Sequence, residues 1–192
     1  MSTIYTLNGK VLKNAANEKW LIKAVPPPPP EEVTIGTQTW KIKNLAIDDG
    51  QGGIYTQTVN YGQGDVVEYY YEWDAAVRVA ASVQGWHLPT TAEWDALATT
   101  VGGSSTAGTK LKSSYGWSSG NGTDDYGFSA LPAGGRINGS FMNFGSYAIL
   151  WSGSQYSSTQ AYCRFLTTAE SMSSYRNVKT DSFSVRLVKD SE

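Results

Sequence analysis

The chain has one cysteine, one histidine and few charges, and each shortage closes off a class of function. A single cysteine, Cys163, cannot form an internal disulfide. With His87 as the only histidine, a Cys/His zinc site lacks ligands. Charged residues are 17% of the 192, against ~25% in an average protein. The net charge is −2, and Lys and Arg form no run. Nucleic-acid backbones are held by clustered cations, so no nucleic-acid partner is expected. No apolar run reaches the ~18 residues of a spanning helix, so no membrane insertion is expected either. The opening, MSTIYTLNGK, lacks the apolar core of a signal peptide and suits a chain that starts in the cytoplasm.

What the chain does hold is a 40% hydrophobic fraction, seven Trp, twelve Tyr and 20 Gly. The length fits one ordinary domain with an appendage. Low charge with many aromatics and glycines favours strands and loops over a helical bundle.

Residues 1–24 place short apolar runs around Asn8-Gly9, a hairpin signal. So small a unit buries too little surface to fold alone and should serve assembly or attachment. Pro26 to Pro30 follow, a stiff polyproline spacer of roughly 15 Å that makes 25–32 a linker. The main domain occupies 33–192.

Within it, Val33–Gly36 and Thr39–Ala46 read as strands, with Trp40, Ile42 and Leu45 inward. Asp48–Gly53 and Asn121–Asp125 read as turns, because neither has the ligand spacing of a helix–loop–helix calcium site. Tyr69–Ser82 reads as a helix with Trp73, Ala76, Val77 and Ala80 on its apolar face. A second helix starts at Thr90, where Thr90 and Glu93 form a capping box. Trp94, Leu97, Ala98 and Val101 give its inner face, and Gly102-Gly103 ends it. A short helical turn is expected near Thr109–Ser113. Strands follow at Phe128–Ile137, Ile149–Trp151, Ala161–Thr167 and Phe183–Lys189. Helices followed by a run of strands indicate an α+β fold.

The stretch from Ala148 to Val188 is bounded by an apolar run ending at Trp151 and by the alternating FSVRLV. Between them Ser, Thr and Tyr dominate. Tyrosine gives rigid contact area, and small hydroxyl residues give adaptable hydrogen bonds, as on a recognition surface.

Four motifs stand in order: GWHLPTTAEW at 85–94, FSALPAGGR at 128–136, LWS at 150–152 and FSVRLV at 183–188. Together they resemble the major paralogous domain family first described in Fibrobacter, over about residues 33–190. That family resembles a branch of the C-type lectin-like fold shared with formylglycine-generating enzymes. The resemblance implies two helices and a small twisted antiparallel sheet, plus the short N-terminal β segment.

It also implies a diversified protein. Ala148–Asp181 resembles the variable region of retroelement-diversified proteins, in which reverse transcription alters adenines of a repeat. Known relatives are phage tail adhesins and bacterial surface proteins. Tyr162, Arg164 and Leu166 match fixed positions of such repeats. Ala161, Cys163, Phe165 and Thr167 alternate with them and are expected to face a ligand. Adenine changes in an Asn codon reach Tyr156, Ser157, Thr159, Cys163, Phe165, Thr167 and Asp181. They do not reach Gln155, Gln160, Glu170 or Met172.

The ligand face so implied carries Tyr147, Ile149, Tyr156, Ser157, Thr159, Cys163, Phe165, Thr167, Thr168, Ser174, Tyr175, Asn177 and Asp181. Tyr147, Tyr156, Phe165 and Tyr175 are its aromatic anchors. The expected protein is a non-enzymatic adhesin without metal or cofactor, on a phage tail or a bacterial surface. Its partner is a cell-surface protein or a glycan. A homo-oligomer, such as a trimer, forms through residues 1–24. Two alternatives stand beside this reading. One is an undiversified surface adhesin or glycan-binding protein. The other is a relative of formylglycine-generating enzymes, although those use two cysteines and this chain has one. A Cys163–His87 pair is the remaining catalytic option.

Overall fold

The computed structural model describes residues 5–7, 10–12 and 31–191. Strand β1 (Tyr5–Leu7) pairs antiparallel with β2 (Lys10–Leu12), flanking Asn8-Gly9. The proline run and the rest of the N-terminal segment lie outside the described residues.

The main domain opens with a hairpin of β3 (Glu32–Ile35) and β4 (Gln38–Lys41). β4 ends at Lys41, short of the expected Ala46. Beyond it the backbone turns to the C-terminal segment, and Leu45 N–H donates to Val185 O at 2.8 Å. The turn over Asp48–Gly53 is held by Arg78, which donates to both Asp49 oxygens at 2.7 and 3.1 Å.

Next come β5 (Ile54–Asn60) and β6 (Asp65–Glu72), an antiparallel hairpin. The helix expected from Tyr69 therefore begins later, as α1 (Trp73–Ala80). The run VVEYYY is β-branched and aromatic and prefers the pleated ladder. Tyr70 and Tyr71 are wholly buried there, and their hydroxyls donate to Ala133 O and Ile47 O at 2.7 and 2.9 Å. Helix α1 buries Trp73, Ala75, Ala76, Val79 and Ala80, whereas Val77, expected inward, is exposed.

After β7 (Trp86–His87) comes α2 (Thr91–Thr100), started by the expected box. Glu93 N–H donates to Thr90 Oγ1 at 3.2 Å, and Thr90 N–H donates to Glu93 Oε2 at 2.8 Å. Helix α3 (Ser104–Leu111) is longer than the single turn expected. The strands β8 (Gly135–Ile137), β9 (Ser140–Met142), β10 (Tyr147–Gln155), β11 (Gln160–Thr167) and β12 (Met172–Val178) follow. The chain closes with β13 (Ser182–Phe183) and β14 (Val188–Lys189).

The fold is α+β, with three helices among the described residues rather than two. Besides the terminal hairpin, the described residues form three sheets, ordered β10-β11-β12, β5-β6-β13-β8-β9 and β3-β4-β14-β7. The FSVRLV segment, expected as one strand, is split because it serves all three. Trp151 N–H donates to Ser184 O at 3.1 Å, Phe183 pairs with Tyr71, and Val188 pairs with Trp40. At its centre Arg186 is 2% exposed. It donates to Asn44 Oδ1 at 3.0 Å, Lys41 O at 3.2 Å and Phe128 O at 2.5 Å. Burial pulls its pKa down to about 10.

Two apolar cores lie on either side of β10 and β11. Trp40, Trp94, Leu97, Phe128, Leu150 and Leu166 belong to the first. Trp73, Ile149, Trp151, Cys163, Phe183 and Val185 belong to the second. Alternate side chains of each strand enter opposite cores, as the two-residue period requires. Of the tryptophans expected in the core, Trp73, Trp94 and Trp117 are buried; Trp86 is half-buried under the Lys41 ammonium, 4.2 Å from its ring centre.

Candidate functional site: the outer face of strands β10 to β12

Strand register decides which expected residues stand together. Trp151 pairs with Cys163 and Cys163 with Tyr175; Ile149 pairs with Phe165 and Phe165 with Ser173. Directly opposed residues share a face. Tyr147, Ile149, Cys163, Phe165, Thr167, Tyr175 and Asn177 therefore project on one side. Tyr162, Arg164, Leu166, Ser174 and Arg176 project on the other.

The expected face is not open along its length. Ile149 is 1% exposed, Cys163 0% and Asp181 4%. All three are corrected from ligand positions to interior ones. Ile149 and Cys163 pack with Trp151 and Phe183 in the second core. Asp181 accepts from Asn138 N–H at 3.0 Å, tying the end of the sheet to the β8–β9 turn. Ala161 is buried as well. The picture of Cys163 beside Phe165 on an exposed surface is thus replaced by a covered cysteine and a half-buried ring.

Burial pushes the Cys163 thiol up to about 12, and its Sγ donates to Tyr175 O at 3.7 Å. A thiol held in that state is a poor nucleophile. His87 is committed elsewhere. Its Nε2 lies 2.7 Å from Glu93 Oε1 and its Nδ1 2.7 Å from Asp190 Oδ1. Cys163 and His87 form no pair.

At the outer end of the face, aromatic rings meet in a chain. Phe165 lies edge-on to Tyr147, with centroids 6.1 Å apart, and 4.8 Å from Tyr175. From below, Phe165 rests on Phe183 at 6.4 Å. Tyr175 is 53% exposed. Thr167 and Asn177 flank these rings, half-buried. Each braces its own backbone: Thr167 Oγ1 accepts from Ala169 N–H at 3.1 Å, and Asn177 Oδ1 from Val178 N–H at 3.1 Å.

The opposite side carries a second aromatic group. Tyr156 is exposed and meets Tyr162 edge-on at 5.5 Å, with the Arg176 guanidinium 4.3 Å over its ring. Ser174, also on this side, accepts from the Arg164 guanidinium. Arg164 is 2% exposed and reaches Thr91 O at 3.0 Å and Asp95 Oδ1 at 2.6 Å, clamping α2 to the sheet. Burial lowers the Arg164 pKa, and the Asp95 carboxylate opposes that fall.

Ser157, Thr159 and Thr168 lie in turns. Ser157 Oγ accepts from Thr159 and Gln160 N–H at 3.3 and 3.1 Å, closing the β10–β11 turn. Thr168, exposed, sits in the β11–β12 turn. That turn is fixed by Lys112, which is 1% exposed and donates to Gly120, Thr167 and Ala169 carbonyls at 2.6, 2.9 and 2.9 Å. Burial lowers its pKa, opposed by the Glu170 charge.

The expected residues thus fall into an aromatic face, a reverse face, two turns and an interior group. Sequence reasoning left Ser173, Tyr162, Arg176 and Lys112 out of the site. Arg176 had a visible signal, as the only charge in the segment that becomes β12. Lys112 had none. Among the described residues no group of three or more His, Cys, Asp or Glu side chains is placed to hold a metal ion, and no helix is long and apolar enough to cross a membrane. Lined by no residue of the face, a cavity of about 380 Å³ opens between Ile42–Ala46 and Val66–Tyr69, with Arg186 in its wall.

The family model described as the Fibrobacter succinogenes major domain matches residues 33–189. No curated protein and no solved structure matches the chain.

Proposed function

We propose, starting from a chain that belongs to the Fibrobacter succinogenes major domain family, that this domain is a non-enzymatic receptor-binding module. The observation that carries the reading is the ring chain Tyr147–Phe165–Tyr175. It is anchored below on Phe183 and open above, with hydroxyl and amide side chains around it. Exposed tyrosine on a rigid sheet gives contact area at little entropic cost. The arrangement of two cores around one sheet fits a C-type lectin-like architecture.

We place the protein on a phage tail or a bacterial surface, as an adhesin diversified by a retroelement within 148–182. Variation belongs at positions whose side chains leave the cores: Tyr156, Ser157, Thr159, Thr167, Thr168, Ser174, Tyr175 and Asn177. Oligomerisation through residues 1–24 would multiply a modest single-site affinity. Sequencing the codons for 148–182 across a natural population tests diversification. Substitutions concentrated at those positions, with Ile149, Cys163 and Asp181 constant, support it. A uniform sequence, or changes spread evenly over the domain, refutes it.

A further inference from the structure

We infer that the free edge of β12 is a docking strand for an extended acidic segment of a protein ligand; this rests on the receptor-binding reading and names the chemistry of its partner. β12 is the outermost strand of its sheet and pairs only with β11. The phase of that ladder follows from one contact, Lys179 N–H donating to Thr159 O at 3.0 Å. Hydrogen-bonded and non-bonded pairs alternate in an antiparallel ladder. Ser173, Tyr175 and Asn177 therefore turn their N–H and C=O groups toward β11. Ser174 and Arg176 turn theirs outward. Both residues are exposed, and among the described residues none of their four backbone groups has a partner. Two such residues, about 6.8 Å apart, are the template to which an added strand binds.

Natural edges are usually blunted by proline, bulges or several charges. Met172–Val178 contains no proline or glycine, and its register with β11 is unbroken. Its one charge, Arg176, is in none of the ion pairs among the described residues. The guanidinium lies over Tyr156 instead, at 4.3 Å. A second copy of this edge would bring another Arg176 and no carboxylate. An acidic peptide brings the missing charge.

The register then fixes the ligand pattern. A residue opposite Arg176 exchanges two backbone hydrogen bonds with it and lies on the Tyr156 side, where an acidic side chain meets the guanidinium. Its neighbours lie on the Tyr175 side, where apolar side chains meet the rings. Alternating apolar and acidic residues are expected.

The test pans the full chain against a display library of random linear peptides, then measures affinity for an enriched peptide made synthetically. Alternating apolar–acidic sequences should be enriched. N-methylation at the acidic residue should weaken binding at least about tenfold, and N-methylation of either neighbour should leave it nearly unchanged. R176E should cost a similar factor, and a peptide with lysine in place of the acid should restore it. No enrichment, or N-methylation effects without the two-residue alternation, overturns the inference. So does self-association that Arg176→Pro abolishes, which would assign the edge to a second copy. Whole-cell binding by the Tyr175→Ala variant separates the two levels. If it loses cell binding while the library yields nothing, the edge inference fails alone. If it binds cells like the parent, the receptor-binding reading fails.

Discussion

Phe165 and Tyr175 meet diagonally across β11 and β12 with ring centroids 4.8 Å apart, yet they do opposite work. Phe165 is half-buried against Phe183 and fixes the platform, while Tyr175 stands 53% exposed and offers it. Phe165→Ala should therefore cost about 3 kcal/mol of stability by opening a cavity. Tyr175→Ala should cost about 1 kcal/mol or less. Urea denaturation of the two variants checks the order.

Arg164 is buried and its partner Asp95 is not, their side chains being 2% and 72% exposed. Removing the cation takes away the donor to the Thr91 carbonyl and loosens α2. Arg164→Ala should destabilise by about 3 kcal/mol. Asp95→Asn should cost under about 1 kcal/mol, since its charge is mostly solvated. Equal losses would show that the ion pair, rather than the buried guanidinium, carries the clamp.

The pH dependence follows from His87. Burial alone would lower its pKa, but the hydrogen bonds its ring donates to Asp190 and Glu93, with their charges, outweigh that and raise the value above 6.5. A group with a raised folded-state pKa stabilises fully below its unfolded value and loses that contribution as pH rises through the folded value. Stability should thus decline modestly from about pH 6.5 upward. His87→Gln should flatten that decline in thermal melts across the range. An unchanged slope would show that the bridge between α2 and Asp190 is not coupled to folding.

Cys163 should resist thiol reagents in the native state and react once the chain is unfolded in urea, because burial holds the thiol at about 12. Rapid native labelling would place it at the surface and reopen it as a contact position.

Deleting residues 1–30 tests assembly. Solution mass should fall from an oligomer to a monomer with the main domain intact. An oligomer of unchanged size would assign assembly to the domain itself.

Legibility in the sequence followed local chemistry. The Thr90–Glu93 box fixed where α2 begins, because capping needs only neighbouring residues. Strand β10 showed through its apolar run ending at Trp151, and β11 through alternating faces. By contrast, β12 is MSSYRNV, whose aliphatic residues Met172 and Val178 stand only at its ends, because most of the strand faces solvent. Helix α3, SSTAGTKL, has weak helix propensity and is held by packing. At Gly108 an added Cβ would lie 2.5 Å from Ser171 O, a close approach that no local pattern announces. The site suffered the same limit. Period-two reasoning placed Cys163 and Phe165 on one face correctly. That this face is covered at Cys163, beside the exposed Tyr175, depends on Phe183 and Val185, which come from the C-terminal segment.

The most direct test of recognition at the aromatic face is binding of the fluorescently labelled chain to a panel of whole bacterial cells, parent against Tyr175→Ala. Val67→Asp, at the cavity, serves as the control. The account predicts that the parent labels particular strains, that Tyr175→Ala loses at least about tenfold in affinity, and that the control binds as the parent does. Equal labelling by the parent and Tyr175→Ala would contradict it, and loss in the control alone would move recognition to the cavity.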